Sequence, residues 1–332
     1  MVTIREVARA AGVSVATASR ALNGLTSVTP QTRARIESAA AELDYVPHSG
    51  ARSLTRRRTD TVGVILPDLY GEFFSEIIRG IDQVVHGASK HLLLANMHGD
   101  AEETALAIRA LRGRVDGLLV MPPDSNAETI AGRLGGGTPT VLLGARPKDE
   151  ATPFVAVDNY AGARLVTGHL VERGARRLVH IAGPTHNHDA RERERAFRDV
   201  VRERLGITDP VVIAGDFREE GGRAAAHQVL RGQSTCDAVF AANDLMAVEF
   251  MSAMREAGVP VGTDLMVAGF DDIPLARYVM PQLTTVHSDI LRLGQAAAEL
   301  VLRLLDGGAE AGPTGLVISP TLAIRGSSAG RG

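Results

Sequence analysis

Between Ser14 and Asn23 the chain sets Val15, Ala16, Thr17, Ser19 and Arg20 on one side of a short helical stretch, with Ala18, Ala21 and Leu22 on the other. The first set is small, polar or cationic. A helix with so small a face and one long Arg enters the major groove of double-stranded DNA without steric conflict. The same face would suit a helical hairpin that serves only as a packing unit. Two helices alone do not choose between these readings.

Charge adds a second observation. Residues 1–58 hold nine Arg and no Lys against four acids, Glu6, Glu37, Glu42 and Asp44, a net of +5. The whole chain is at −3, so the remainder carries −8. A basic head on an acidic body points to a polyanionic partner for the head alone. Elsewhere, residues able to do chemistry are sparse. His186, His188 and Asp189 share one loop, but two His and an acid without a fourth donor are a weak metal signal. A polar loop lining a cleft is the better reading, and no metal or cofactor is expected. No phosphate-cradling G-x-x-x-x-G-K, G-x-G-x-x-G after a strand, G-x-S-x-G elbow or H-E-x-x-H helix occurs. Asp271-Asp272 and Asp158-Asn159 are polar strand-end pairs with no evident nucleophile or base beside them, so no catalytic residue and no enzyme activity is expected.

The elements that must position these residues are legible. Thr3 and Glu6 form a capping box at the start of a first helix, and Ile4, Val7, Ala8 and Ala11 form its apolar stripe. Gly12 supplies the turn, Ser14 caps the second helix and Asn23-Gly24 stops it. A third helix runs from Thr29 to Leu43, with Pro30 in its first turn and Ile36, Ala39, Ala40 and Leu43 on its apolar side. Together they predict a three-helix headpiece over residues 1–47, small enough to work best attached to something larger.

Residues 48–59 read as a linker or hinge helix. The segment has helical composition but only Ala51 and Leu54 as apolar residues, so it is expected to order only with a partner. A lone Leu in a basic segment is either a harmless linker residue or a wedge inserted between base steps from the minor groove. Arg56-Arg57-Arg58 is either a phosphate contact or a solvated charge run.

From Thr61 the pattern changes to ten short apolar, β-rich runs, from Val62–Leu66 to Leu283–His287, alternating with helical stretches such as Glu72–His86 and Tyr160–Arg173. This alternation predicts parallel sheets covered by helices on both faces. Ten runs exceed one compact sheet, so two similar α/β subdomains are expected, with ligands at the strand C-termini in the cleft between them. The Gly/Ser-rich tail, Gly326–Gly332, is expected to fray. The single cysteine, Cys236, excludes an internal disulfide framework, no apolar run nears the roughly 18 residues of a membrane span, and the N-terminus does not read as a secretory signal. A cytoplasmic chain without membrane contact is expected.

The run I-R-E-V-A-R-A-A-G-V-S-V-A-T-A-S-R-A-L-N, followed by V-T-P-Q-T-R-A-R-I, A-A-E-L-D-Y-V-P and A-R-S-L, resembles the LacI/GalR family of bacterial transcription regulators. The likeness continues in order and spacing through F-F-S-E-I-I-R-G-I (73–81), R-V-D-G-L-L-V (114–120), V-A-V-D-N (155–159), A-R-E-R-E-R-A-F (190–197), F-A-A-N-D-L-M-A (240–247) and G-F-D-D-I (269–273). The resemblance implies an all-α helix-turn-helix headpiece and an α/β periplasmic-binding-protein-like core (60–332) of two doubly wound parallel-sheet subdomains. The first would hold about 60–158 and 289–318, the second about 159–288 and 319–326.

It also implies function. The family acts as a homodimer on a palindromic operator, most often as a repressor, nucleoid-associated when DNA-bound, under control of a small-molecule effector. By position in the motif, Val15, Ala16 and Arg20 would read bases, and Thr3, Ser14, Thr17, Ser19, Asn23 and Thr32 would contact or orient against phosphates. Leu54, with Ala51 and Arg52 beside it, would be the inserted hinge leucine. In the cleft, Phe73 and Phe74 would line one side, and Arg193, Phe217, Asn243 and Asp271 the other, a set suited to a sugar or similar polyol. Phe73-Phe74 could also be plain core at a helix start. Several sugar-responsive members carry an acid where this chain has Gly144-Ala145-Arg146. That departure puts a plain neutral hexose in question and leaves room for an anionic ligand. The rival reading is a solute-binding protein of a sugar transport system with the same core, which would need export and no DNA-binding head.

Overall fold

A computed structural model describes residues 2–23, 27–45, 58–97, 101–122, 137–147, 151–307 and 314–330. The chain divides into two compact units, a small one of Met1–Thr61 with Gly113–Val115 and a large one of Val62–Arg112 with Asp116–Gly332.

The small unit is built of α1 (Ile4–Ala10), α2 (Val15–Leu22) and α3 (Pro30–Glu42). The Glu6 carboxylate accepts from the Thr3 backbone N–H at 2.7 Å and from its hydroxyl at 2.9 Å, the expected N-terminal box. Gly12 takes φ +62 at the turn, where a Cβ would be strained. Ser14 caps α2 by accepting from Thr17 N–H at 3.1 Å. Val7, Ala8, Ala18, Ala21, Ile36 and Ala39 close a core of mostly small side chains, which draws the three helices near one another.

In the large unit each apolar run becomes a strand: β1 (Thr61–Leu66), β2 (His91–Asn96), β3 (Gly117–Val120), β4 (Thr140–Leu143), β5 (Phe154–Val157), β6 (Leu178–Ile181), β7 (Val211–Ile213), β8 (Ala238–Ala241), β9 (Met266–Asp271) and β10 (Thr284–His287). The helices between them are α4 (Glu72–Gly87), α5 (Ala101–Leu111), α6 (Asn159–Glu172), α7 (His188–Leu205), α8 (Glu219–Leu230), α9 (Asp244–Glu256) and α10 (Ile290–Leu305). Two short strands close the chain, β11 (Gly315–Ile318) and β12 (Thr321–Ala323). The first sheet has the order β11-β5-β4-β3-β1-β2, and the second β12-β10-β9-β8-β6-β7. Strands such as β3, β6 and β8 are buried at every residue, as expected of parallel strands covered on both faces.

Three features depart from the pattern read in the sequence. β11 and β12 were not among the runs read in the sequence, although β11, Gly315-Leu316-Val317-Ile318, is itself a short apolar run; both are edge strands, with Leu316 and Val317 exposed. β12 pairs antiparallel with β10, so the second sheet is mixed at its edge. The tail is also tied down through residue 330. Ser327 and Ser328 are fully buried, the Ser327 hydroxyl donating to Val267 O at 2.6 Å and Ser328 Oγ lying 2.8 Å from His169 Nε2. A Gly/Ser-rich composition suggested fraying, but these hydroxyls replace backbone partners inside the second subdomain.

The chain passes between the subdomains three times: from β5 to α6, from β10 to α10, and from β11 to β12. Helices α4 and α10 pack so closely that a Cβ on Gly294 would stand 2.3 Å from Ile77 O, and one on Gly80 2.2 Å from Leu291 O. Glycine is required at this crossing for lack of space, not for its backbone freedom.

Candidate functional site

In the small unit, Val15, Ala16 and Arg20 are exposed on one side of α2, while Thr17 and Ser19 are half-buried. Ser14 Oγ lies 2.8 Å from Thr17 Oγ1, so the two hydroxyls orient each other. Asn23 is buried, its amide donating to Ser19 Oγ at 3.3 Å. Thr32 is half-buried and accepts from the Thr29 hydroxyl at 2.9 Å. Asn23 and Thr32 therefore stand as residues that shape the head's surface, with Thr3, Ser14, Val15, Ala16 and Arg20 presented on it. Ala51, Arg52 and Leu54 lie outside the described residues.

In the large unit, loops from both sheets enclose a cavity of about 480 Å³. Phe73, Phe74, Arg193, Phe217, Asn243 and Asp271 all line it. Phe73 and Phe74 pack edge to face at 5.3 Å and also touch the core of the first subdomain, so lining and core packing coexist there. Arg193, on α7, is the organising cation. It is 5% exposed, its Nε donates to Asn159 Oδ1 at 2.9 Å, and its Nη1 donates to Ala242 O. Its guanidinium lies 3.7 Å over the Phe270 ring and 5.8 Å from that of Phe217. Asn243 is more committed than its type suggested. Its Oδ1 caps α9 by accepting from Met246 N–H at 3.0 Å, and its Nδ2 donates to Phe217 O at 2.8 Å. Asn243 retains for a ligand one donor hydrogen and one lone pair of Oδ1.

Asp271 ends β9 with φ +116, a conformation rare outside glycine. Its carboxylate is buried, with Oδ1 3.4 Å from Arg193 Nη2 yet in no hydrogen bond. Burial pushes its pKa up to about 7, Arg193 pulling down and Asp189 pushing further up. The twist at this strand end has identifiable supports. Fully buried Asp244 accepts from Ile273 N–H at 2.9 Å and from the Thr285 hydroxyl at 2.5 Å. Against the burial that would raise it, His287 and Arg325 hold Asp272 down at about 2. His287 Nδ1 is 3.0 Å from Asp272 Oδ2, and Arg325 Nη2 donates to Oδ1 at 2.6 Å. The hydrogen bond to Asp272 raises His287 in return.

Residue type alone had not marked several of these groups. Asp244, Thr285 and Asn159 are positioning residues, recognisable only once strand ends are adjacent. Asp189 lines the cavity with His186 and His188, in keeping with the reading of their loop as a polar cleft lining rather than a metal site. No group of three His, Cys, Asp or Glu able to hold a metal ion occurs among the described residues. Arg146, the cation beside the missing acid, is exposed and is not among the residues lining the cavity. Bonds also span the cavity mouth between the subdomains. Tyr70 Oη donates to Glu219 at 2.7 Å, Arg218 to Asp68 at 2.9 Å, and Leu275 N–H to Glu72 at 2.8 Å.

Comparison with known proteins gives this geometry its place. Residues 3–48 match the model of bacterial regulatory proteins, lacI family, and residues 167–328 match a periplasmic binding protein-like domain. The HTH-type transcriptional regulator GalS of Salmonella typhimurium is 34% identical over 333 residues, covering 100% of this chain and 98% of that protein. The chain belongs to the lacI family. Among solved structures, the lac repressor dimer bound to operator and an anti-inducer matches with a TM-score of 0.87 and 28% identity, covering 98% of this chain and 99% of the other. The transcriptional regulator CelR in complex with cellobiose matches at 0.73 and 31% identity, covering 98% and 100%. The lacI-family architecture thus accounts for the head, the two sheets and the cleft in a single chain. No described helix is long and apolar enough to cross a membrane.

Proposed function

We propose that this chain is a DNA-binding transcription regulator, a repressor, which acts as a homodimer on a palindromic operator and responds to a small carbohydrate-like ligand in the cleft. The observation that carries this reading is the presence in one chain of a lacI-family head and a cleft with convergent polar groups on a lacI-family core. The lac repressor match, a dimer on operator DNA, supports the dimer and the operator, and the CelR match supports a sugar in the cleft. Val15, Ala16 and Arg20 read bases, Thr3, Ser14, Thr17, Ser19, Asn23 and Thr32 touch or orient against phosphates, and Leu54 is the hinge wedge flanked by Ala51 and Arg52. Because Val15 and Ala16 carry no side-chain donor or acceptor, Arg20, methyl contacts and Leu54 supply much of the specificity. The chain performs no catalysis and works in the cytoplasm, at the nucleoid when bound to DNA.

A ligand that changes operator affinity by about 5–150-fold, a coupling of about 1–3 kcal/mol, is sufficient for such control. The test is fluorescence anisotropy of full-length protein on a palindromic promoter fragment. Affinity should fall steeply as salt rises, since Arg-phosphate contacts release counterions. Absence of binding at low salt, with and without sugars, overturns the reading. The transport alternative would need export and has no use for the head.

A further inference from the structure

Gly144, just after β4, carries no side chain into the cleft, yet the space beside it faces a carboxylate. A Cβ built on Gly144 would lie 3.9 Å from Asp189 Oδ2, which comes from the first turn of α7 in the opposite subdomain. Asp189 lines the same cavity as Asp271, whose buried Oδ1 has no hydrogen-bond partner. Asp271 pairs with Arg193 at 3.4 Å and Asn159 hydrogen-bonds Asp189, while Asp68 pairs with Arg218, Asp216 accepts from Arg218 N–H, and Glu72 accepts from Leu275 N–H. Among the described lining residues, five carboxylates stand against two guanidiniums, those of Arg193 and Arg218. The cleft therefore offers acceptors and carries a formal excess of negative charge.

We propose that Asp189 supplies, from the second subdomain, the carboxylate that the Gly144 position lacks, and that with Asp271 it selects an uncharged polyhydroxylated ligand over its acid or phosphate counterpart. The inference rests on the ligand-responsive reading above and specifies the chemistry of the same cavity. Paired ligand hydroxyls donate to Asp189 and to Asp271 Oδ1, and Arg193 retains N–H groups for a ring or glycosidic oxygen. A carboxylate or phosphate on the ligand would add a further like charge beside two buried acids. Burial raises the pKa of Asp189 as it does that of Asp271, Arg193 opposing it, which marks both as acids held in a poorly solvated place.

The experiment uses the full-length protein and a panel of neutral sugars (galactose, glucose, ribose, cellobiose) with galacturonate, glucuronate, glucose 6-phosphate and ribose 5-phosphate. Thermal shift finds the binders and calorimetry measures them. At least one neutral sugar should bind, each charged counterpart about tenfold or more weakly, and Asp189→Asn should weaken the neutral sugar about tenfold to a hundredfold, since one hydrogen bond to a charged group is lost. The unliganded melting temperature of Asp189→Asn reports its folding. The double variant Asp189→Ser/Gly144→Asp returns the carboxylate to the first subdomain, at a residue type that tolerates the +66° φ, and should recover part of the affinity. Failure of every neutral sugar to bind, a sugar acid or phosphate that binds more tightly than its neutral parent, or a folded Asp189→Asn within twofold of wild type overturns the proposal. Ligand binding that leaves operator affinity unchanged counts against the regulator reading alone.

Discussion

The half-titrated state of Asp271 makes ligand affinity depend on pH. Burial holds its carboxyl at about 7 in the unliganded protein. A ligand hydroxyl that donates to Oδ1 requires the ionised form, so binding and deprotonation are linked. With a pKa near 7, the ionised share falls from about nine-tenths at pH 8 to about one-tenth at pH 6, and affinity for a neutral sugar should fall about tenfold over that interval. At pH 7 binding should release about half a proton. Calorimetry in two buffers of different ionisation enthalpy reads both quantities on one sample. Asp271→Asn removes the titrating group, so its affinity should be lower at pH 8 and nearly level down to pH 6. A wild-type affinity that is flat between pH 6 and 8, or an Asp271→Asn variant with the same slope, refutes the assignment of an ionised, ligand-accepting Asp271.

Other perturbations test the supports of the site and the head. Asp272, held at about 2 against an ordinary 3.8, contributes stability that is present above the higher value and lost as pH falls through the lower. Asp272→Asn should therefore cost about 2 kcal/mol at neutral pH and flatten urea-unfolding stability between pH 4 and pH 2. Gly294→Ala should cost about 1–3 kcal/mol or more by the same measurement, because its Cβ meets the Ile77 carbonyl and the obstruction is backbone. Arg20→Ala should weaken operator binding by about 1–3 kcal/mol and relax preference at one base position, while Leu54→Ala should lower specific affinity yet keep the salt dependence of non-specific binding; anisotropy on matched and scrambled fragments separates the two.

Much of this protein is legible in its sequence wherever one physical rule dominates. Ser14 and Thr29 mark helix starts of the head because each accepts an orphan N–H locally, and Thr3 does so through Glu6, whose carboxylate accepts the Thr3 N–H. Central strands such as β3, β6 and β8 are legible because parallel strands buried on both faces must be continuously apolar. The edge strands β11 and β12 were not read, being only four and three residues long. The tail misled for a different reason: its serines are buried by hydrogen bonds to Thr284, Val267 and His169, partners more than 40 residues away. The cleft shows the same division. Arg193, Asn243 and Asp271 were legible through family position, but the cap that occupies Asn243, the orphaned oxygen of Asp271 and the approach of Asp189 to Gly144 arise only when strand ends from distant segments meet.

The bonds that span the cavity mouth bear on how such a cleft can respond to a ligand. Arg218–Asp68 and Tyr70–Glu219 are largely exposed, and exposed pairs of this kind contribute about 0–1 kcal/mol each. The apolar join between the subdomains is confined among the described residues to a few side chains, Ile273 and Leu275 packing against the core of the first. Each subdomain otherwise closes on its own core. The two halves are therefore stiff, while the preference between their relative positions rests on small terms. A ligand need then bind one arrangement better by only a few kcal/mol to change which is populated. Donation to Asp271 Oδ1, which is desolvated and held only by the long 3.4 Å pair with Arg193, is a differential interaction of that size, because a hydrogen bond to a charged group contributes about 1.5–3 kcal/mol. The strained end of β9, braced by Asp244 and Asp272, is where a ligand held by Asp271 would act on that balance.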